Sequence, residues 1–224
     1  MREIALDTET TGLDPGEGHR VVEIGCVELI NQIPTGEVFH TYLNPERSMS
    51  HDAYAVHGLD DGFLEKQPLF IDIADAFLQF IDGSPLVIHN AAFDLKFINS
   101  ELQRAERGPL EVVKVVDTLE LARHKFPGSP ASLDALCRRF GIDNSVRTKH
   151  GALLDAELLS CVYVELIGGR QPGLGLQHEA KAVSLERVNP SIVRAPRPHV
   201  PSEAELVAHA AFVAGLENPI WAVQ

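Results

Sequence analysis

The stretch Ile4-Ala5-Leu6-Asp7-Thr8-Glu9-Thr10-Thr11-Gly12-Leu13 places an apolar run directly before two acids, several hydroxyl side chains and a glycine. The apolar run predicts a β-strand, in which side chains two residues apart point to the same face. Asp7 and Glu9 would therefore point together, and adjacent carboxylates repel each other unless a cation lies between them. Hard oxygen ligands of this kind suit Mg²⁺ or Mn²⁺. Taken alone, the stretch also fits an edge strand that runs into a polar loop.

The composition indicates one globular domain with an appendage. The chain has 224 residues, of which 45% are hydrophobic and 23% charged, so it can bury one core but is too short for two full-sized domains. No segment approaches the ~18 uninterrupted apolar residues of a membrane helix, and the amino terminus lacks a signal-peptide pattern, so we expect a cytoplasmic protein with no membrane partner. Cys26, Cys137 and Cys161 form no C-x-x-C pair and are expected to be buried thiols.

The chain is strongly acidic, with a formal net charge of −13 at pH 7. This charge argues against a broad, electrostatically driven grip on duplex DNA. It does not exclude nucleic acid as a ligand, because bound cations can reverse the local field and hold a strand end through its phosphates.

Three β-type runs open the chain, and alternating helices and strands follow. Residues 20–30 and 37–43 are β-branched or alternating and lie between glycine-containing turns, so with the first strand they predict an antiparallel meander. Short apolar runs predict buried strands at 85–88 and 112–116. This order indicates an α/β fold with a mixed five-stranded sheet flanked by helices. The predicted helices cover 69–81, 91–104, 118–125, 132–140 and 151–167, with short helical pieces within 51–66.

The composition changes after residue 169. Residues 171–176 read Q-P-G-L-G-L, and residues 177–201 contain four prolines among scattered charges, which indicates a flexible linker. Ser202 and Glu205 then match a capping box, and apolar residues at helical spacing follow. A lone helix of this length is marginal in water, so we expect it to need a partner. The chain is therefore divided into a domain at 1–170, a segment at 171–201 and a helical tail at 202–224.

Two further acids lie where an open α/β sheet collects its ligands. Asp94 follows the strand predicted at 85–88, and the crevice beyond the carboxyl ends of strands is the usual ligand position, although a plain helix N-terminal charge is an equal alternative. Asp155 lies five residues after His150, which would place the two side chains roughly 140° apart on one regular helix. They can converge only if His150 lies in the preceding loop, where Gly151 allows the bend. For a lone histidine, a structural role remains the alternative.

Taken together, the motifs resemble the DEDDh 3′–5′ exonucleases of the ribonuclease H-like fold. More narrowly, they are similar to the family of proofreading epsilon subunits of bacterial DNA polymerase III. No departure from the family pattern is found among the five catalytic-type residues. The matching segments run in the family's order over residues 3–169: D-T-E-T-T-G-L, V-V-E-I-G, V-H-G-L, I-H-N-A-A-F-D, S-L-D-A-L-C and H-G-A-L-L-D-A.

The resemblance implies a metal-dependent 3′–5′ exodeoxyribonuclease that proofreads for the replicative polymerase and releases nucleoside 5′-monophosphates. It makes Asp7, Glu9, Asp94 and Asp155 ligands of two divalent ions, Mg²⁺ or Mn²⁺, and His150 the general base. Two such ions can clamp the attacking and leaving oxygens of a phosphoryl displacement. A histidine with a reference pKa of ~6.5 can accept a proton near neutral pH. The implied substrate contacts are Thr10, Thr11, Leu13, His57, His89, Asn90 and Phe93.

Several of these contacts keep an alternative. Ordinary packing is nearly as good an explanation for Leu13 and Phe93, whereas an exposed His57 next to a glycine favours a functional role. An RNA-directed relative, such as an oligoribonuclease or a ribonuclease T-like enzyme, would share all five catalytic residues. A replisome scaffold whose nuclease site has decayed is the non-enzymatic alternative.

The resemblance also implies partners. The substrate would be the 3′ end of single-stranded or frayed DNA. The Q-x-x-L-x-L pattern at Gln171–Leu176 implies binding to the sliding clamp as an extended peptide. The tail at 202–224, with Trp221 as an aromatic anchor, implies docking on the polymerase (alpha) subunit. A small accessory subunit is a further expected partner.

Overall fold

The structure is a computed structural model that describes residues 1–110, 114–145, 149–168 and 200–217. Contacts divide these residues into a first unit, up to residue 168, and a second unit that contains residues 200–217.

Five strands of the first unit form one sheet in the order β3-β2-β1-β4-β5. The first three strands pair antiparallel, whereas β4 and β5 run parallel to β1. The predicted mixed five-stranded sheet is confirmed. Because β1 is the middle strand, the edge-strand interpretation of the opening stretch is wrong. The strands are β1 (Arg2–Thr10), β2 (Val21–Ile30), β3 (Ile33–Tyr42), β4 (Leu86–Ile88) and β5 (Val115–Asp117).

Strand β3 begins four residues earlier than predicted. Asn31 and Gln32 both have positive φ, 51° and 68°, which is the backbone of a two-residue hairpin turn, and Ile30 pairs directly with Ile33. The tight turn lets pairing start at once, and Gly36 is accommodated at a φ of 92° near a register shift. At the other edge of the sheet, residues 112 and 113 of the strand predicted at 112–116 lie outside the described residues.

The helices of the first unit agree with the predicted ranges to within about two residues at each end. A short 3₁₀ turn, Pro15–Glu17, lies between β1 and β2. The helices are α1 (His51–His57), α2 (Asp61–Leu64), α3 (Phe70–Ile81), α4 (Ala91–Arg104), α5 (Thr118–Lys125), α6 (Leu133–Phe140) and α7 (Ala152–Ile167).

The sheet separates two apolar cores, because side chains alternate between its faces along β1. Ile4 and Leu6 pack in one core with buried side chains of α3 and α4. Ala5 packs in the other core with side chains of α5, α6 and α7. The face that carries Ala5 is also the face of Asp7 and Glu9, two and four residues further along the strand.

One prediction about the cysteines is wrong. Cys26 and Cys137 are buried as expected, but Cys161 is exposed, and the three cysteines form no disulfide with one another. Cys161 lies one helical turn after Glu157, which is also exposed. None of the described helices is long and apolar enough to span a membrane.

The second unit contains the helix predicted in the tail, α8 (Glu203–Ala214). Its amino end is the predicted capping box: Ser202 Oγ accepts a hydrogen bond from Glu205 N, and Glu205 Oε2 accepts one from Ser202 N at 2.8 Å. The apolar side chains Leu206, Val207 and Phe212 are exposed. The clamp-type peptide Gln171–Leu176, the anchor Trp221 and nearly all of the linker lie outside the described residues.

Candidate active site

The carboxyl end of β1 presents Asp7 and Glu9 on the face that packs against α7. Antiparallel pairing places Gly25 of β2 opposite Asp7. A Cβ on Gly25 would lie 2.3 Å from the backbone of Ala152, so only a glycine allows the first turn of α7 to approach the strand this closely. The close approach brings the start of α7 beside the two acids.

Three polar side chains meet at this point: one ligand-type atom from each of Glu9, His150 and Asp155 lies within 4.8 Å of the other two. His150 Nδ1 is 3.3 Å from Asp155 Oδ2. Gly151 is the N-cap of α7, so His150 lies in the preceding loop, where its backbone N–H donates to Val56 O at 3.3 Å. The predicted loop position of His150 is therefore confirmed. Asp155 is buried, whereas the His150 side chain is about half exposed.

Asp94 approaches β1 from the opposite face of the sheet. It lies in the first turn of α4 and is 3% exposed, and the Thr8 hydroxyl donates a 2.7 Å hydrogen bond to its Oδ1. Burial raises the pKa of Asp94 to about 7, and the hydrogen bond from Thr8 opposes that rise. Asp94 is not one of the three residues that meet within 4.8 Å, and its described hydrogen bond holds it toward β1.

Asp117 is a site residue that the sequence analysis missed. Its Oδ2 accepts from Ala91 N at 2.9 Å, and its Oδ1 accepts from Asn90 N at 3.1 Å and from Leu119 N at 2.9 Å. One carboxylate therefore caps both α4, which carries Asp94, and α5. An acid between a buried strand and a helix is a signal for the cap of α5. The contact of Asp117 with the amino end of α4 depends on the parallel pairing of β4 with β5, so no local sequence pattern predicts it.

A cleft of about 420 Å³ opens beside Glu9. His57 lines it but is only 6% exposed, so the expectation of an exposed histidine is wrong. Its Nδ1 accepts from Leu59 N at 3.1 Å, which places the ring proton on Nε2. Burial lowers the pKa of His57, and a hydrogen-bonding interaction with the Thr10 backbone opposes this shift. The neutral ring is therefore favoured. Nε2 is buried without a hydrogen-bond partner of good geometry in the described part of the chain.

The other predicted contact residues differ in their positions. Leu13 is 83% exposed, and the half-buried Phe93 packs against Phe97 with ring centroids 5.0 Å apart. Thr11 is fully buried, and its hydroxyl accepts from Arg20 N at 3.0 Å, so its side chain is structural. The cleft is lined by Thr8, Glu9, Thr10, Gly12, Leu13, Glu17, His19, Ser50, Asp52, Ala53, Val56, His57 and Phe93.

His19 also lines the cleft and was not identified from the sequence. Its Nδ1 lies 3.1 Å from Thr11 Oγ1, and a Cβ on Gly12 would lie 2.2 Å from its ring. The ring therefore packs against the turn that follows β1, and this contact requires a glycine at position 12.

His89 and Asn90 lie at the amino end of α4. The Nδ1 of His89 is 2.9 Å from Thr118 Oγ1. Burial lowers the pKa of His89, and the charges of Asp117 and Asp155 oppose this shift. Asn90 is exposed and adopts a φ of 68°. His89 therefore lies near Asp155, and neither His89 nor Asn90 lines the cleft beside Glu9.

Comparison with known proteins gives one family. The RNase_T model, described as an exonuclease, matches residues 4–163. A DNA polymerase III subunit epsilon of Rickettsia felis is 51% identical over 222 residues, which cover 96% of this chain and 97% of that protein. A protein of the same name from Salmonella typhimurium is 47% identical over 219 residues, covering 93% and 90%.

Solved structures of nucleases share the fold. Exonuclease X in complex with 5′ overhanging duplex DNA is 25% identical, with a TM-score of 0.58, and the match covers 74% of this chain and 90% of that one. The nuclease domain of 3'hExo, a DEDDh family member bound to rAMP, is 18% identical, with a TM-score of 0.63 over 74% and 91%. The ribonuclease H-like architecture expected from the sequence is confirmed.

Proposed function

This chain belongs to the exonuclease family of DNA polymerase III epsilon subunits and is a 3′–5′ exonuclease, and on that basis we propose that it proofreads DNA for the replicative polymerase. It would remove the terminal nucleotide of a 3′ end as a nucleoside 5′-monophosphate. The observation that supports this proposal is the meeting of Glu9, His150 and Asp155 beside an open cleft.

The proposed metal ligands are Asp7, Glu9, Asp94 and Asp155, which would hold two divalent cations, Mg²⁺ or Mn²⁺. The donor set fits these hard ions, because all four side chains offer carboxylate oxygens. Asp94 supports the fit, since its buried carboxyl has a pKa of about 7 and a nearby cation would favour its ionised form. When bound, such ions polarise the phosphate and make a coordinated water more acidic.

His150 is the proposed general base. The contact between its Nδ1 and Asp155 orients the ring, so that Nε2 accepts the proton of the attacking water. The half-exposed position of the ring is compatible with this role, because the proton must afterwards pass to solvent.

The terminal nucleotide would occupy the cleft. His57 lines the cleft, so its ring would lie against the sugar or base of the nucleotide. Thr10 and Leu13 would border the nucleotide at the turn after β1, and His89, Asn90 and Phe93 would border it from the α4 side. Thr11 is fully buried and would only hold the turn. A cleft of this kind selects frayed ends, since unpairing a mismatch costs less than unpairing a matched base.

The proposed setting is the bacterial replisome in the cytoplasm, because relatives at about half identity are named subunits of DNA polymerase III. Gln171–Leu176 would bind the sliding clamp, and residues 202–224 would bind the polymerase alpha subunit. A small accessory subunit would be a third protein partner. The exposed apolar side chains of α8 support a docking role for the tail.

Hydrolysis rates on two substrates test this function. The protein should degrade mismatched primer–template DNA faster than a short RNA of the same length, and Asp7→Ala should abolish activity on both. Faster turnover of RNA would instead assign the chain to the RNA-directed enzymes. Unchanged activity of Asp7→Ala would refute the proposed site.

A further inference from the structure

We propose that Glu23, held by His40, is a positioning residue that fixes the first turn of α7 and, through it, His150 and Asp155. The inference rests on the catalytic roles proposed above for those two residues. Glu23 lies on β2 and His40 on β3, and neither residue is among the proposed metal ligands or substrate contacts.

Glu23 lies beside the acids of β1. The register of the sheet places it opposite Glu9 on one side and opposite Tyr42 on the other. Paired residues project from the same face, so Glu23 points toward α7. Its side chain is only 4% exposed, and a carboxylate buried to this extent needs compensating partners.

One such partner is the amino end of α7. Gly151, the N-cap of α7, provides no side-chain hydrogen bond to the first turn, although the amides at a helix N-terminus favour a negative charge. Both carboxylate oxygens of Glu23 lie 4.0 Å from the position of a Cβ on Gly151. Glu23 therefore lies close enough, on a neighbouring strand, to supply the negative charge that a capping side chain would otherwise provide.

The second partner is His40, whose Nε2 donates a 2.8 Å hydrogen bond to Glu23 Oε1. The His40 ring packs edge-on against Tyr42 at 4.9 Å, and Tyr42 packs in the same way against Phe63 at 5.0 Å. This row of rings restricts His40 and, with it, the rotamer of Glu23. Loss of the His40 contact would leave Glu23 free to turn away from α7.

Steady-state kinetics on single-stranded DNA test the positioning role. Glu23→Ala and His40→Ala should each lower kcat by about tenfold or more, because small displacements of a reacting group are costly, while KM stays within about twofold. His40→Gln keeps an N–H donor for Glu23 and should recover most of the lost kcat. If kcat of both alanine variants equals that of the parent, or only KM rises, or His40→Gln is no better than His40→Ala, the inference is wrong.

Amide hydrogen exchange separates this inference from the proposed function, since it needs no activity. Glu23→Ala should speed exchange by about tenfold in the first turn of α7, residues 152–155, and leave α3 unchanged. Glu28→Ala is the matched control, because Glu28 lies on the same strand but pairs with Arg2, and it should affect neither α7 nor kcat. A parent that cleaves no DNA would refute the proposed function, whereas unchanged α7 exchange in Glu23→Ala would refute the positioning role.

Discussion

Thr8 and Asp94 join the central strand to helix α4: the Thr8 hydroxyl donates a 2.7 Å hydrogen bond to Asp94 Oδ1 in a buried setting. The two residues are 86 positions apart in the chain, and Thr8 lies on the strand face opposite Asp7 and Glu9. The contact fixes the carboxyl of Asp94 relative to the strand that carries the other two acids.

Asp94→Asn is expected to stabilise the metal-free protein at about pH 8 and to have little effect at about pH 4. Burial raises the pKa of Asp94 from 3.8 to about 7, so the folded state holds a proton that the unfolded state releases between these values. The stability contributed by this group therefore falls as pH rises from about 4 to about 7, by up to about 4 kcal/mol. Urea unfolding at the two pH values measures the difference.

Thr8→Val is the matching variant for that experiment. It removes the hydrogen bond that favours the ionised carboxyl, so it should destabilise the metal-free protein more at about pH 8 than at about pH 4.

Asp94→Asn should also abolish nuclease activity, because the amide is a poor metal ligand. A destabilised Asp94→Asn protein at the higher pH would contradict the burial argument.

Removal of divalent metal should abolish hydrolysis and lower thermal stability. The clustered carboxylates repel one another without a cation, and a ligand that binds only the folded state stabilises it by mass action. Activity and melting temperature measured in EDTA, and again after addition of excess Mg²⁺ or Mn²⁺, check this. Hydrolysis that continues in EDTA would exclude the proposed metal chemistry.

Asp117→Ala should cost about 2–3 kcal/mol of unfolding free energy, because it uncaps two helices at once. Ser132→Ala is the control: Ser132 Oγ accepts only from Ala135 N among the described residues, at 3.3 Å, and its loss should cost about 1 kcal/mol. Denaturant unfolding of both variants gives the comparison. Equal losses would show that the contact of Asp117 with α4 contributes nothing.

Gly25→Ala should destabilise the fold by about 3 kcal/mol or more, because its Cβ would overlap the backbone of α7. Nuclease activity should fall with it, since Asp155 lies in the first turn of α7 and His150 lies in the loop directly before it. Gly108→Ala is the control, because nothing lies within 4 Å of a Cβ there. Thermal unfolding and kcat report both effects, and a Gly25→Ala protein as stable and active as Gly108→Ala would disprove the close packing.

Removal of residues 177–224 should leave exonuclease activity unchanged and abolish binding to the polymerase alpha subunit. The site and both cores lie within the first unit, whereas the exposed apolar helix α8 lies in the second. Activity assays and co-elution with the purified alpha subunit check the two halves of this prediction. Co-elution of the truncated protein would show that the tail is not required for this contact.

Much of the fold followed from local patterns. Alternation and apolar runs predicted the five strands, and helical spacing predicted α3 to α7. The placement of His150 before Gly151 also followed from local geometry, because a regular helix would hold His150 and Asp155 apart. The early start of β3 was missed, because the Asn31-Gln32 turn carries no glycine at the positive φ positions.

The sequence by itself determined which residues are proposed to carry the chemistry and on which elements they lie, because these inferences depend on short-range periodicity and on motif order. Only the tertiary structure decided what surrounds them: the central position of β1, the burial of His57 and the packing of His19 against Gly12. The tertiary structure also decided that Asp117 caps two helices and that Glu23 lies between His40 and α7. Most of these depend on contacts between segments distant in the chain, and such contacts exist only once the sheet register and the helix layers are formed.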